Sequence, residues 1–237
     1  LAPIDDRYWT DPAMWRLNVD QDVLPEWWDV EDAERRVRSA ALNWQAAKIV
    51  KPDQKRNVIT DGEFVLFSYG TVQAIRGGTV QAICGGTVQE IRGGTVQAIC
   101  GGTVQEIWGG TVQEIGGGTV QEIRGGTVQE ICGGTVQEIW GGTVQEIWGG
   151  TVQAICGGTV QEIRGGTVQA ICGGTVQEIW GGTVQVIRGG TVQEIWGGTV
   201  QAYVKLDPAL LKSQRAVLID RSGNIPVCYV GKEAPNA

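Results

Sequence analysis

From Thr71 to about Val204 one order of polar and apolar positions returns every eight residues without insertion: Thr-Val-Gln-x-Ile-y-Gly-Gly. Val is fixed and Ile nearly so, x is mostly Glu or Ala, and y is mostly Arg, Cys or Trp. A strict short period of this kind marks a solenoid, in which neighbouring repeats bury one another's apolar side chains. Thr, Val, Gln and Ile suit a strand, and Gly-Gly permits the positive φ of a sharp corner without a Cβ clash. The pattern predicts an all-β fold, a parallel β-solenoid (β-helix) with one strand per octapeptide and like strands stacked about 4.8 Å apart.

Two repeats per coil would give a period of 16 residues, and three would give 24. A step of 16 stacks Trp108, Arg124 and Trp140 on one face and Trp148, Arg164 and Trp180 on the other, with each Arg between two indoles. It also makes Cys84 a neighbour of Cys100 and Cys156 a neighbour of Cys172. A step of 24 mixes Cys and Trp with less regularity, as in Cys84, Trp108, Cys132, Cys156 and Trp180. Because a cation and an indole face attract one another, the 16-residue coil is favoured over the 24-residue one.

Val and Ile stand three apart, so a flat strand of period two cannot bury both. Either Val turns outward or the chain kinks at Gln-x and both point in. Full burial of a Val or Ile is worth roughly 1.5 to 3 kcal/mol, whereas an inward column of Gln amides would cost desolvation. The kinked strand is therefore expected, with Gln, x and y facing out and the Gln amides able to form ladders along the axis.

The flanks break the period. Residues 1–57 form an N-terminal segment in which Asp29 is a plausible N-cap for a helix with Val30, Ala33, Val37, Ala40, Ala41, Trp44 and Ala47 at helical spacing. Its apolar stripe suits a cap laid across the first coil. Residues 58–70 read as lead-in strands, Val58-Ile59-Thr60 and Phe64 to Phe67, around an Asp61-Gly62 turn. After the solenoid at 71–204, residues 205–237 read as a second cap. Asp207-Pro208 opens a short helix, then comes a β-hairpin around Asp220 to Asn224, with Pro226 confining the last strand to an edge.

The formal net charge of −7 divides into −4 before residue 70, −5 in the repeats and +2 after residue 204. That distribution argues against direct nucleic-acid binding and suits a basic partner. No apolar leader or membrane-length apolar run occurs, so no membrane partner is expected and a cytoplasmic location is the default expectation. The chain has no His, and it carries no phosphate-binding loop, nucleophile elbow or dinucleotide fingerprint. Neither an enzyme nor a cofactor is expected, and without Cys-x-x-Cys or His a zinc site is not expected either.

The interaction candidates are Trp108, Trp140, Trp148, Trp180 and Trp196, all at position y, together with Arg124 and Arg164. Exposed aromatic area of this extent marks an interface, and a repetitive surface is self-complementary, so a homo-oligomer is the leading expectation and an unidentified protein partner the next.

The repeats, such as Gly93-Gly94-Thr95-Val96 through Gly101-Gly102-Thr103-Val104, resemble the Gly-Gly-Thr-Val octapeptide arrays of actinobacterial and actinobacteriophage proteins. Their logic is similar to that of pentapeptide-repeat proteins. The resemblance implies a β-solenoid and brings no activity and no functional residues. Three functions compete: a non-catalytic scaffold or interaction rod, a nucleic-acid mimic that binds DNA-handling proteins, and an ice-binding solenoid using the Thr ranks.

Overall fold

The structure is a computed structural model that describes residues 2–3, 15–16, 25–26, 28–50, 55–60, 64–67 and 70–231. Each octapeptide forms one five-residue strand, from Thr71–Ile75 to Thr191–Ile195. Strands pair in parallel with the strand two repeats away, as Thr103 with Thr119 and Ile107 with Ile123, so the coil holds 16 residues and has two sides. The first sheet is twelve-stranded and contains Thr71–Ile75, Thr87–Ile91 and every second strand after them; the second is ten-stranded and contains Thr79–Ile83, Thr95–Ile99 and their successors.

The strands kink where the spacing of Val and Ile requires it. The ladder pairs Thr, Val, x and Ile of adjacent coils and skips Gln at each step, as at Gln105 and Gln121. Val104, Ile107, Val120 and Ile123 consequently all point inward and are fully buried, in one continuous core that runs the length of the rod. At an apolar transfer value of about 25 cal/mol per Å², these two columns are the main favourable contribution to the fold.

The corners stack as tightly as the strands. The Ile91 carbonyl accepts hydrogen bonds from the N–H groups of Trp108 at 2.8 Å and Gly109 at 3.3 Å, and Thr111 N–H reaches the Gly94 carbonyl at 2.9 Å. Gly-Gly is required twice over. A Cβ on Gly125 would lie 2.3 Å from the Trp108 carbonyl oxygen, and Gly126 has φ of 75°.

The ladder continues past the repeats at the N-terminal end. The two lead-in strands do not pair with each other: Lys55–Ile59 lies beside Thr71–Ile75, and Phe64–Phe67 beside Thr79–Ile83, each in parallel. Ile49–Val50 adds one further short strand beside Phe64–Phe67. Coil geometry thus persists where the octapeptide is lost, because apolar residues still occupy inward places such as Ile59.

Helix α1 spans Val30–Lys48, and Asp29 caps it by accepting the N–H groups of Glu31 at 2.9 Å and Asp32 at 3.1 Å. Its C-terminal end adjoins the lead-in strands Ile49–Val50 and Phe64–Phe67 at the N-terminal end of the rod. Among the described side chains of its stripe, Val30 is 51% exposed, Val37 38%, and Ala40 is exposed. Trp9, Trp27 and Asp61-Gly62 lie outside the described residues, as do the side chains of Trp15, Trp44 and Ala47.

The C-terminal end closes both sheets. Gly198–Ala202 is followed in the first sheet by Ala216–Asp220 in parallel, and Val227–Val230 returns antiparallel as the edge strand just after Pro226. On the second sheet a 3₁₀ turn at Pro208–Leu210, capped by Asp207, leads Leu211 into a bridge with Ile195, and Lys212 N–H bonds the Ile195 carbonyl at 2.8 Å. Exposed strand edges invite further pairing, and both are covered by chain that no longer repeats.

Candidate interaction surface

Positions x and y flank the inward Ile and emerge side by side. Their side chains pair within the repeat. Arg92 Nε bonds Glu90 at 2.7 Å, Arg124 Nε bonds Glu122 at 2.5 Å and Arg164 Nε bonds Glu162 at 2.7 Å. The indole N–H groups of Trp108, Trp140, Trp180 and Trp196 donate to Glu106, Glu138, Glu178 and Glu194 at 2.5, 2.6, 2.6 and 2.9 Å. The Arg92 guanidinium, chiefly through its hydrogen bond, holds the Glu90 carboxyl below its usual range, and Glu122 likewise raises Arg124.

This pairing was legible in the repeats. All five repeat tryptophans follow a Glu two residues earlier, whereas Cys84, Cys100, Cys156 and Cys172 follow an Ala there. An indole N–H is a strong donor that a carboxylate two residues away can accept, and a thiol is a weak one.

Guanidinium groups also reach back one coil. The Arg124 guanidinium lies 4.8 Å from the Trp108 ring centre and that of Arg164 lies 4.6 Å from the Trp148 ring centre. Arg164 Nε is also 3.3 Å from Glu146, so this cation is held by one indole face and two carboxylates. The expected column is thus realised on the preceding indole of each trio. On the other side of Arg124 a groove of about 370 Å³ opens between it and Trp140, lined by Glu122 and Glu138. Sequence reading did not bring out the stack of Trp180 on Trp196, with centroids 5.0 Å apart and planes 7° from parallel, although the same 16-residue step predicts it.

Trp108, Trp140, Trp148 and Trp180 are each about half exposed, and Trp196 is half-buried. The candidate residues fall on two facets. Trp108, Arg124 and Trp140 belong to the first sheet, and Trp148, Arg164, Trp180 and Trp196 to the second.

The two facets differ in charge. In the repeats of the first sheet Arg76, Arg92, Arg124 and Arg188 balance Glu90, Glu106, Glu122 and Glu138. Within its repeats the second sheet carries Glu114, Glu130, Glu146, Glu162, Glu178 and Glu194 against Arg164 alone, so the whole −5 of the repeats lies on that side, and beyond them Lys212 reaches Glu194 at 4.0 Å. The register places these six carboxylates in one column, one per coil.

Among the described residues no cluster of three or more metal-ligating side chains occurs, and no helix is long and apolar enough to cross a membrane. Comparison with protein-family models, with curated proteins and with solved structures returned no match.

Proposed function

We propose that this chain is a non-catalytic scaffold, a rigid β-solenoid rod that pairs with a second copy of itself through the first-sheet facet. The observation that carries this reading is the combination, on one facet, of two half-exposed indoles with equal numbers of Arg and Glu. Two such facets approach without net repulsion and remove indole surface from water. Two acidic second-sheet facets repel each other. The resemblance to Gly-Gly-Thr-Val arrays agrees with a structural role and supplies no activity.

Light scattering across a concentration series, with reductant present, tests the pairing. The wild type is expected to gain mass with concentration, and Trp108→Ala with Trp140→Ala to remove that gain while the far-ultraviolet spectrum stays unchanged. The matched pair Trp148→Ala with Trp180→Ala should leave it in place. A monomer at every concentration would end the self-pairing reading.

The column from Glu114 to Glu194 favours a second reading, that the other facet holds a basic partner in the manner of a nucleic-acid mimic. Six carboxylates one coil apart span about 24 Å at about 4.8 Å per coil. Binding of a DNA-handling protein that weakens with added salt and with Glu130→Gln plus Glu162→Gln would support it; binding indifferent to both would not.

A further inference from the structure

Four of the six cysteines form two pairs with the same geometry, and the scaffold reading uses neither. Cys84 and Cys100 extend the paired positions Ile83 and Ile99 on the second sheet, while Cys156 and Cys172 extend Ile155 and Ile171 on the first. In both pairs the backbone ladder runs through the cysteines themselves. Cys100 N–H bonds the Ile83 carbonyl at 2.9 Å, and Cys172 N–H bonds the Ile155 carbonyl at 2.8 Å.

All four thiols are free, three of them exposed and Cys156 half-buried. Their x positions are Ala82, Ala98, Ala154 and Ala170, so no carboxylate of the same repeat competes for the sulfur. Cys132 differs on both counts. It follows Glu130, whose carboxylate it contacts at 3.6 Å, and its column neighbours one coil away are Gly116 and Trp148.

Parallel in-register strands set the spacing. Stacked side chains leave the rod in the same direction, so their Cβ atoms stand about 4.8 Å apart. Both pairs are reduced, and each sets two thiols side by side one coil apart. A single ion held in line between two sulfurs needs them to face one another across it, as side chains stacked one coil apart can do. Because no third ligating side chain is grouped with either pair among the described residues, only an ion content with two ligands is satisfied. Thiolates select soft cations.

We infer that Cys84 with Cys100, and Cys156 with Cys172, are two separate two-coordinate sites for a soft monovalent d¹⁰ cation, copper(I) being the probe of that class. At each site two S–H bonds break and two Cu–S bonds form, two protons pass to solvent, and the copper remains copper(I). Partial burial and the neighbouring thiol raise Cys84 and Cys156, so both enter the reaction as protonated thiols.

The test titrates the full, reduced chain anaerobically with copper(I) in the presence of a chromophoric copper(I) chelator. The wild type should withhold two equivalents per chain, Cys84→Ser one, and Cys84→Ser with Cys156→Ser none, while Cys132→Ser keeps two. X-ray absorption of the loaded protein should show two sulfur neighbours per copper. Copper left entirely with the chelator, a wild-type stoichiometry other than two, or copper retained by the double variant overturns the assignment. The wild-type count and the absorption measurement do not depend on any variant folding.

Discussion

Trp140 donates its indole N–H to the Glu138 carboxylate at 2.6 Å, across Ile139, whose side chain is fully buried between them. The pair shows how a rod of nearly identical steps can carry variable surface residues without disturbing its core. Glu138→Ala should therefore shift the Trp140 indole N–H resonance and speed its exchange with solvent. The hydrogen bond is exposed, so the stability change should stay within about 1.5 kcal/mol. An unchanged indole resonance would mean that the pair does not persist in solution.

Arg164 is the one Arg on the second-sheet facet, bonded to Glu162 at 2.7 Å and to Glu146 at 3.3 Å. Like charges stacked in register destabilise a sheet, and salt screens them. Arg164→Gln should lower the melting temperature more than Arg124→Gln, by about 0.5 to 1 kcal/mol of extra destabilisation at low salt. High salt should close most of that gap. Equal effects of the two substitutions at every salt concentration would show that the charge of the facet does not bear on stability.

The repeat block was legible in physical detail because its constraints reinforce one another. The place of Gly-Gly located the corners, the three-residue separation of Val72 and Ile75 demanded the kink, and the order of Trp108, Arg124 and Trp140 selected 16 residues per coil. The ends were less legible for a related reason. Val58 to Thr60 and Phe64 to Phe67 have the local composition of a hairpin, and the ladder offered by the first repeats pairs each strand with a different sheet instead. The stripe on α1 has helical spacing, yet spacing cannot say which of its positions are covered, and Val30 and Val37 are exposed. At the candidate surface the columns were readable, while the charge difference between facets emerges only once alternate repeats are assigned to opposite sheets.

Corner glycines should be intolerant of the smallest substitution. A Cβ at Gly125 would meet the Trp108 carbonyl oxygen at 2.3 Å, and the Gly126 backbone adopts φ of 75°. Backbone cannot yield without parting two coils. Gly125→Ala and Gly126→Ala are each expected to cost about 2 kcal/mol or more, combining the left-handed penalty at Gly126 with lost coil pairing. A Cβ at Gly223 would have nothing within 4 Å, so Gly223→Ala should be close to neutral. Chemical denaturation of the three variants checks this, and equal midpoints would show that the corners are looser than their geometry implies.

Acid should act through carboxylates that are hydrogen-bonded in the fold, since the chain has no His. The Arg92 guanidinium lowers Glu90 from its ordinary 4.5, and hydrogen bonds from Ser222 lower Asp220 from its ordinary 3.8. A carboxyl lowered in the folded state adds stability that is fully present above its ordinary value and is lost as the pH falls through the lowered one. Glu90→Gln and Asp220→Asn should each lower the melting temperature slightly near neutrality, and the difference from wild type should vanish in acid. For Asp220 the loss should begin at a lower pH than for Glu90, because its ordinary value is lower. Both groups are solvent-facing, so the effects are small and are best read as differences between variant and wild type across a pH series. A wild-type advantage that survives undiminished well below both ordinary values would mean that these side chains act through packing and not through their charge.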